Sequence, residues 1–550
     1  MQLKIRGARD AKFTGNPQIT YFQNVYKRYT NFSMEYIELS FDRTSSLNPD
    51  QEIKTQCNID RNAELLHDVH FIYDLPAIFN YIKITDEVQE KYGFETNHMY
   101  IPFKWVNGVG NKLIEEVTIN INSYPIDKRR GEFMEIYNHL TLSKHKKDLY
   151  DKKINGEYTR SYYTDISSTT VDGNYSLPGI PSTRLYIPLD FWFCKYPALS
   201  IPLIALQHAF TRLDFTLTRS NDLFKIGNPL VSPYEIINNV NLSSENSQIR
   251  DFLIIYVDYL NAQTTTNSFT LQNILELLIV RDWQPYYSVL ANYIFLDESE
   301  RRVFSQTSHE YLVDQVQYYY FDGLKRGTNI ININMNGLVS EMIWFIKKDK
   351  DTETNDWFNF TNTKNPLTTD ILNNIRKKIT NITDSSQDLI NLDTYKNLND
   401  VDPELNKLIL NDFNVMYRNT GDNTIDRKII CDEQWNYTDI MKSFYLKLNK
   451  MDRFEERKSR FYELLQVGKY HSGQSKKGLY VYSFSLNPEK IDRPSGTCNM
   501  SVIGEQQLMI NIHESNNIDT YLEQFNLHFY TVGYNIFKII GGIGSIQYVN

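Results

Sequence analysis

The sequence predicts an all-β protein built from two β-sandwiches in series, with short helices and long loop insertions. Aromatic residues make up 14% of the chain, with 39 Tyr and 30 Phe, and such side chains suit the pleated surface of a sheet. Segments that alternate between apolar and polar residues recur, whereas helical segments are rare and short. The 550 residues exceed the usual size of a domain with one core, so we expect two sandwiches.

The alternating segments define the expected strands. In each of them apolar side chains tend to fall on one face, as in a strand buried on one side of a sheet. They are MEYIELSF from Met34, EEVTININ from Glu115, TRLDFTLT from Thr211, FLIIYVDYL from Phe252, EYLVDQVQYYYF from Glu310, MIWFI from Met342 and LYVYSFSL from Leu479.

Two short segments between these strands have helical character. The first, GEFMEIYNHL, places four bulky side chains on one helical face: Phe133, Ile136, Tyr137 and Leu140. The second, LDESERRVF, begins with Asp297 in the N-cap position and has Glu300 three residues later, which approximates a capping box. We therefore expect short helices at both places.

Composition indicates where the chain divides. RSNDLFKIGNPLVSP, around residues 220–232, is rich in Gly, Pro and Asn and predicts a boundary. We expect an N-terminal arm at 1–25, a first sandwich at 26–222 and a second at 223–550. Residues 347–440 are polar and turn-rich, so we expect a long surface insertion there. A small separate module is the alternative, because DILNNIRKKITNI has helical spacing.

No pattern of catalytic or ligand-binding residues emerges. His67 and His70 form an H-x-x-H, but residues three apart in a strand point to opposite faces, so we expect no metal site and no cofactor. The four Cys are scattered and are expected to be buried, reduced thiols. The net charge of -9 provides no global attraction to nucleic acid. Because no catalytic nucleophile, general base or metal cluster can be named, we expect that the protein is not an enzyme.

Seven long blocks resemble the major capsid proteins of nucleocytoplasmic large DNA viruses, a family that includes mimivirus-like giant viruses. They lie in family order: TGNPQITYFQNVYKRYTNFSMEYIELSF from Thr14, FKWVNGVGNKLIEEVTININSYPIDKRRGEFMEIYN from Phe103, LYIPLDFWFCKYPALSIPLIALQ from Leu185, YIFLDESERRVFSQTSHEYLVDQVQ from Tyr293, DRFEERKSRFYELLQ from Asp452, VYSFSLNPEKIDRPSGTCNMSVI from Val481 and YNIFKIIGGIGSIQY from Tyr534. The signature positions within these blocks are Gly15, Asn16, Pro17, Trp105, Pro494, Ser495, Gly496, Cys498 and Asn499.

The resemblance implies a double jelly roll, with two eight-stranded β-sandwiches in tandem in one chain. It implies a homotrimer whose six jelly rolls form a pseudo-hexagonal capsomer of an icosahedral virion shell, assembled in the host cytoplasm. The expected partners are further copies of the chain, minor capsid and penton proteins and, indirectly, the inner viral membrane, with no direct nucleic-acid contact. The alternative is a capsid-like paralogue that binds a glycan or receptor, for which WFNF at Trp357 is the one hint.

Basic and aromatic residues are interleaved in GNPQITYFQNVYKRYTNF, residues 15–32. After the Gly-Asn-Pro turn signal, the aromatic spacing predicts a short amphipathic turn or helix. Given the resemblance, we expect an assembly element at the base of the first jelly roll, formed by Tyr21, Phe22, Tyr26, Lys27, Arg28, Tyr29 and Phe32. Packing within one subunit only is the alternative. Nucleic-acid binding would need a wider basic groove.

Overall fold

The fold is built mainly from antiparallel strands, as the alternating segments predict. The computed structural model describes residues 28–43, 47–48, 51–78, 81–83, 98–100, 103–156, 180–226, 285–349, 355–362, 439–513 and 524–548, and also residues 7, 8, 12, 16 and 22. The predicted strand from Phe252 and the helical segment from Asp370 lie outside these residues.

The first half of the chain supplies thirteen strands within the described ranges. They are β1 (Phe32–Leu39), β2 (Ile53–Ile59), β3 (Leu65–Leu75), β4 (Tyr81–Lys83), β5 (His98–Tyr100), β6 (Phe103–Trp105), β7 (Ile114–Ile121), β8 (Tyr124–Arg129), β9 (Thr183–Pro188), β10 (Ile201–Pro202), β11 (Thr211–Leu217), β12 (Phe224–Ile226) and β13 (Tyr287–Leu296).

The second half supplies the remaining strands that the structure describes. They are β14 (His309–Leu324), β15 (Gly327–Asn332), β16 (Leu338–Lys348), β17 (Met441–Leu448), β18 (Met451–Asp452), β19 (Arg457–Lys458), β20 (Leu479–Ser483), β21 (Cys498–Asn499), β22 (Gln506–Ile512), β23 (Phe525–Ile540) and β24 (Ile543–Ile546).

Short helices lie between the strands. The α-helices are α1 (Val109–Leu113), α2 (Gly131–Thr141), α3 (Lys144–Asn155), α4 (Trp192–Lys195), α5 (Glu298–Gln306) and α6 (Gln466–Tyr470). A π-helical turn, Phe461–Leu465, leads directly into α6, and 3₁₀ turns occur at Pro197–Leu199, Ser220–Asp222 and Met500–Val502. The two predicted helices are confirmed as α2 and α5, and Asp297 caps α5 by accepting a hydrogen bond from the Glu298 backbone N–H.

Both halves have the same strand order. In the first half, β1-β13-β3 form one sheet with β9 and β10 both paired to β3, and β2-β11-β7-β8 form the sheet that faces it. In the second half the equivalent sheets are β14-β23-β16-β20 and β15-β22-β17-β18. The eight main strands of the first half, in chain order, are β1, β2, β3, β7, β8, β9, β11 and β13. Those of the second half are β14, β15, β16, β17, β18, β20, β22 and β23. With each set numbered one to eight, the sheets of both halves have the strand orders 1-8-3-6 and 2-7-4-5. This is the jelly-roll arrangement, so the protein is a double jelly roll.

Each sandwich encloses its own aromatic core, because alternate side chains of the facing sheets point inward. In the first core the rings of Phe71 and Phe215 lie 5.0 Å apart. In the second core the ring of Trp344 lies 4.4 Å from that of Phe444. These contacts join the two sheets of each sandwich.

Strand β13 lies in the first sandwich. The sequence-based division ends that sandwich at residue 222 and assigns residues 287–296 to the second one. Hydrogen bonds instead join β13 to β1, with Phe32 opposite Leu296, and to β3, with Tyr287 opposite Tyr73. The Gly- and Pro-rich signal therefore falls between the seventh and eighth strands of one sandwich, because a turn signal marks any long connection and not only a domain boundary.

The two ends of the expected surface insertion at 347–440 are not surface loop where the structure describes them. Strand β16 continues to Lys348, and both Lys347 and Lys348 are buried. Phe360 and Ile440 are buried as well. Residues 363–438 lie outside the described part of the chain.

The Gly-Gly pair near the C-terminus forms a tight turn. Gly541 and Gly542 have φ values of +60° and +81° between β23 and β24, a backbone conformation that favours glycine. The turn contacts the first half, because the His208 backbone N–H donates to the Gly542 carbonyl oxygen at 3.2 Å.

Candidate assembly site at the junction of the two halves

Helix α2 of the first half packs on the outer face of the larger sheet of the second half. Phe133, Ile136 and Leu140 are buried there, and the rings of Phe133 and Tyr530 lie 5.3 Å apart. A Cβ atom at Gly131 would lie 1.8 Å from a backbone oxygen of α1, so the start of α2 requires glycine. Because each buried apolar side chain contributes about 1.5–3 kcal/mol, this helix face contributes substantially to the junction.

Three buried charged side chains, Asp127, Arg129 and Asp314, meet the half-buried Lys195 where β8 approaches β14. Arg129 Nη2 lies 3.0 Å from Asp127 Oδ2 and 3.1 Å from Asp314 Oδ2, and Lys195 Nζ lies 2.9 Å from the same Asp314 oxygen. Burial raises the pKa of Asp127 to about 7. At Asp314, burial is outweighed by Lys195 and Arg129, which lower the pKa. Removing one member would leave a buried charge unpaired, so the cluster holds the two halves together.

Glu132, at the start of α2, is the centre of a second polar cluster. Its Oε2 accepts a hydrogen bond from Tyr530 Oη at 3.0 Å and lies 3.0 Å from His528 Nδ1. Its Oε1 pairs with Lys347 Nζ of β16. Although burial opposes it, His528 and Lys347 hold the pKa of Glu132 well below its usual value. A carboxylate from the first half is thus bound by three side chains of the second.

A third cluster lies within the second half, around Glu341 of β16, on the same side of that strand as Ile343 and Phe345, which contact α2. His471 Nε2 lies 3.1 Å from Glu341 Oε2, and His471 Nδ1 lies 3.3 Å from Glu489 Oε1. The side chains of His471 and Glu341 have no exposed area. Although burial opposes it, Glu341 and Glu489 raise the pKa of His471 to about 9. The imidazole therefore carries a positive charge at neutral pH and balances the buried Glu341 carboxylate.

The long strands of the second half extend into the first core. Val313 of β14, together with Phe537 and Ile539 of β23, belongs to the hydrophobic cluster of the first sandwich. The ring of Phe537 lies 5.7 Å from that of Trp192 in α4. The two cores therefore share side chains from one pair of strands.

Residues 355–362 join the two halves from another side. Trp357 Nε1 donates a hydrogen bond to the Asp222 carbonyl oxygen at 2.7 Å, and Lys112 Nζ lies 3.8 Å from the indole ring. Phe360 stacks on Phe345 of β16 with the ring centroids 4.2 Å apart. Because these contacts engage Trp357 in the junction, the WFNF segment does not support the idea of a glycan-binding surface.

The arm is described only in part. Gly15, Pro17, Tyr21, Tyr26 and Lys27 lie outside the described residues. The other expected arm residues are exposed on this chain: Asn16, Phe22, Arg28, Tyr29 and Phe32. The backbone at 28–31 has no helical turn, and Phe32 begins β1. The predicted helical face does not extend to Tyr29, because the chain becomes extended before it joins the sheet.

The outward side of β1 carries an apolar stripe. Phe32, Met34 and Tyr36 alternate along the strand and are 53%, 45% and 53% exposed. Strand β1 is at the edge of its sheet and pairs only with β13 among the described strands. An apolar edge strand of this kind is a surface to which another chain can bind.

Apart from Asn16, six signature residues lie among the described residues. They are Trp105, Pro494, Ser495, Gly496, Cys498 and Asn499. Trp105 is buried in the first core, edge-on to Phe103 with the ring centroids 5.1 Å apart. Ser495 Oγ accepts a hydrogen bond from the Asn487 backbone N–H at 2.8 Å, and the neighbouring β21 pairs with β16. The segment from Ser495 to Asn499 therefore lies beside the larger sheet of the second sandwich.

Sequence reasoning missed the charged residues of the junction. Glu132 and Tyr530, for example, are 398 positions apart in the chain. The available signal was the charged DKRR run directly before an amphipathic helix. Among the residues that the structure describes, no group of three or more His, Cys, Asp or Glu side chains could hold a metal ion. No helix in the same ranges has the length and apolar character needed to cross a bilayer.

Two family models match the chain. One, described as the N-terminus of the major capsid protein, matches residues 20–297, and the other, described as the large eukaryotic DNA virus major capsid protein, matches residues 300–545. The gap between the two matches follows β13 directly, in agreement with the pairing of β13 in the first sandwich.

Relatives and solved structures agree with this assignment. The major capsid proteins of Phaeocystis pouchetii virus and Paramecium bursaria Chlorella virus 1 are 27% and 25% identical, and each match covers 100% of this chain and 99% of the relative. A quasi-atomic model of the PBCV-1 virus capsid has a TM-score of 0.59 at 22% identity and covers 96% of this chain and 100% of its own. The Faustovirus major capsid protein has a TM-score of 0.58 at 12% identity, with coverage of 97% and 94%. The chain therefore belongs to the major capsid proteins of large eukaryotic DNA viruses.

Proposed function

We propose that three copies of this chain form a capsomer of pseudo-hexagonal outline and that such capsomers tile the icosahedral shell of a virion. The main supporting observation is that both halves have one strand order. A threefold arrangement of such chains places six similar sandwiches in a ring, and closed rotational symmetry is the rule for assemblies of identical chains.

Exposed apolar residues near the N-terminus support contact between copies. Tyr29 is 84% exposed, and Phe32, Met34 and Tyr36 of the adjacent strand are about half exposed. A chain that stayed alone would leave this edge strand open to uncontrolled pairing. We propose that the arm and β1 are covered in the assembled capsomer, so residues 15–32 act in assembly.

The proposed domain division follows the strand pairing. The arm precedes β1, the first jelly roll extends to the end of β13, α5 connects the halves, and the second jelly roll begins with β14. In this arrangement each jelly roll has a complete set of eight main strands.

The remaining partners follow from the role of a shell protein. We propose contacts with minor capsid and penton proteins, indirect contact with an inner membrane and assembly in the host cytoplasm. The net charge of -9 argues against direct binding to nucleic acid, since phosphate contacts need a surplus of Lys and Arg. The homologues are major capsid proteins, and we propose that this chain likewise has no enzymatic activity.

Light scattering coupled to size-exclusion chromatography tests the proposal. Three chains of 64.9 kDa have a mass of about 195 kDa, and a closed trimer would elute as one sharp species. Negative-stain images of that species should show pseudo-hexagonal particles. A monomer at all concentrations, with no trimer after co-expression with other virion proteins, would contradict the proposal.

A further inference from the structure

The two halves carry an equivalent helical segment in the connection between their fifth and sixth main strands. In the first half α2 follows β8, and in the second the π-helical turn Phe461–Leu465 follows β19. The sequences align without a gap: RRGEFMEIYN at 129–138 corresponds to RKSRFYELLQ at 457–466. The two segments therefore repeat one another in sequence and in topological position.

The positions that face inward behave alike in the two segments. Met134 and the aligned Tyr462 are both fully buried in the core of their own half. Glu135 and the aligned Glu463 are both buried, each within 3.5 Å of a lysine ammonium. The alignment is therefore supported by burial as well as by sequence.

The positions that face outward differ in their exposed fraction between the two segments. In α2, Phe133, Ile136 and Tyr137 are 2%, 0% and 7% exposed, because they pack on the second half of the same chain. Their counterparts are Phe461, Leu464 and Leu465, which lack such a partner among the described residues. The side chains of Leu464 and Leu465 are 49% and 54% exposed. The same helix face is thus covered in one half and uncovered in the other.

The surface equivalent to the one that α2 covers is open along β1, whereas Ser288, Asn292 and Ile294 on the outward side of β13 are buried. Helix α2 packs on the outer face of β14-β23-β16-β20, and the equivalent sheet of the first half is β1-β13-β3-β9. The outer face of that sheet carries large side chains that are between 38% and 53% exposed. They are Phe32, Met34, Tyr36, Tyr186 and Tyr286.

Charge is complementary between the two open surfaces. Lys458 and Arg460 are exposed directly before the uncovered helical turn. The outer face of the first sheet carries the carboxylates of Glu38, Asp68 and Asp74. Of these, Asp74 is paired with Arg184 of the same face. Complementary charges of this kind favour one orientation of docking over others.

We infer that Phe461, Leu464 and Leu465 of one copy pack on the outward side of β1 of the next copy, as α2 packs on the second half within one chain. The inference rests on the proposed capsomer and identifies the surfaces that join its subunits. The contact is heterologous, because a different surface of each copy takes part. Junctions within and between chains then alternate, and three copies close a ring of six sandwiches.

A charge placed in the uncovered turn tests the contact. In the double variant Leu464→Asp and Leu465→Asp, we expect the association constant of the trimer to fall at least about tenfold, because two carboxylates would be buried in an apolar interface. Val502→Asp is the matched control, since Val502 is 74% exposed and lies outside both surfaces. A double variant that assembles like the control would overturn the inference.

Cross-linking tests the pairing of the surfaces directly. The chain with both Tyr36→Cys and Leu465→Cys should form covalent dimers and trimers with a short bismaleimide, whereas each single variant should give only the background of the unchanged chain. Efficient linking of Leu465→Cys alone would indicate a twofold contact and would overturn the inference. A trimer by light scattering without linking in the double variant would overturn the contact but keep the capsomer. A monomeric unchanged chain would instead count against the capsomer.

Discussion

The first and eighth strands differ in length between the two halves of the molecule. In the first half, β1 and β13 have 8 and 10 residues, whereas their counterparts β14 and β23 have 16 residues each. The additional length carries Val313, Phe537 and Ile539 into the core of the first sandwich. The same strand order therefore does not make two independent domains, because the second sandwich supplies part of the first core.

The helices after the fifth strand differ in their partner. Helix α2 packs on its own sandwich through Met134 and also covers the outer sheet face of the other half, whereas the turn at Phe461–Leu465 and α6 lie against β20 of their own half. The charged clusters around Arg129 and Glu132 lie where α2 and its preceding strand meet the second half. The comparison indicates that the junction depends on groups from the first half that the second half does not duplicate.

The largest effect is expected from breaking the buried cluster at β8. Arg129→Met removes a cation and leaves Asp127 and Asp314 with Lys195 alone, so the free energy of unfolding should fall by about 3–5 kcal/mol in urea titrations. Lys128→Met is the control, because Lys128 is 54% exposed and should change the value by less than about 0.5 kcal/mol. A loss below about 1 kcal/mol for Arg129→Met would contradict this role.

The second prediction compares two aligned phenylalanines. Phe133→Ala should lower the free energy of unfolding by about 3–4 kcal/mol, because the ring is buried between the halves. Phe461→Ala should cost about 1 kcal/mol when the chain is monomeric, because its ring is only half-buried. Both are measured by urea unfolding at dilute protein concentration. Equal losses would contradict the difference between the two helical segments.

The third prediction concerns pH. The pKa of His471 is raised to about 9 in the folded chain from an ordinary value near 6.5, so its stabilisation is complete below about 6.5 and is lost as pH rises through about 9. The free energy of unfolding should therefore fall by roughly 2–3 kcal/mol between pH 6.5 and 9.5.

The variant His471→Gln isolates this contribution. It should be less stable at neutral pH and should lose most of the alkaline dependence, whereas His145→Gln, at an exposed position of α3, should keep the profile of the unchanged chain. Unfolding monitored by tryptophan fluorescence across the pH range measures both. Equal alkaline slopes for His471→Gln and the unchanged chain would refute the assignment.

The smallest effect is expected at the 355–362 segment. Trp357→Phe keeps an aromatic ring but loses the hydrogen bond to the Asp222 carbonyl oxygen, which should lower the free energy of unfolding by about 1 kcal/mol. Differential scanning calorimetry should show a correspondingly small fall in Tm. A gain in stability would mean that this bond does not help to join the halves.

Local features of the fold could be predicted, and long-range ones could not. Alternation identified the strands that begin near Glu115, Thr211 and Glu310, because a half-buried strand needs an apolar residue at every second position. Helical spacing identified α2 and its buried face, because residues three and four positions apart lie on one face of a helix. The assignment of β13 to the second sandwich was wrong, because pairing partners far apart in the chain leave no local pattern.

The candidate site shows the same division. Phe133 and Ile136 could be assigned to a buried helix face from the sequence. The surface of the second half that they cover could not be predicted. The acids and bases of the junction could not be predicted, because any Asp or Glu in a charged chain has many candidate partners. Trp357 illustrates this limit, since its position in a polar loop gave no sign of its hydrogen bond to the Asp222 carbonyl oxygen.

Patterns in the sequence were sufficient to predict the β-rich class, the strands with clear alternation, the short helices and, through long family-like blocks, the double jelly roll. Each of these depends on neighbouring residues or on blocks that keep their order along the chain. The folded chain was needed to find where the first sandwich ends, which half α2 covers, and how Arg129, Glu132 and His471 are paired. These depend on contacts between residues hundreds of positions apart, and the folded backbone alone brings such residues together.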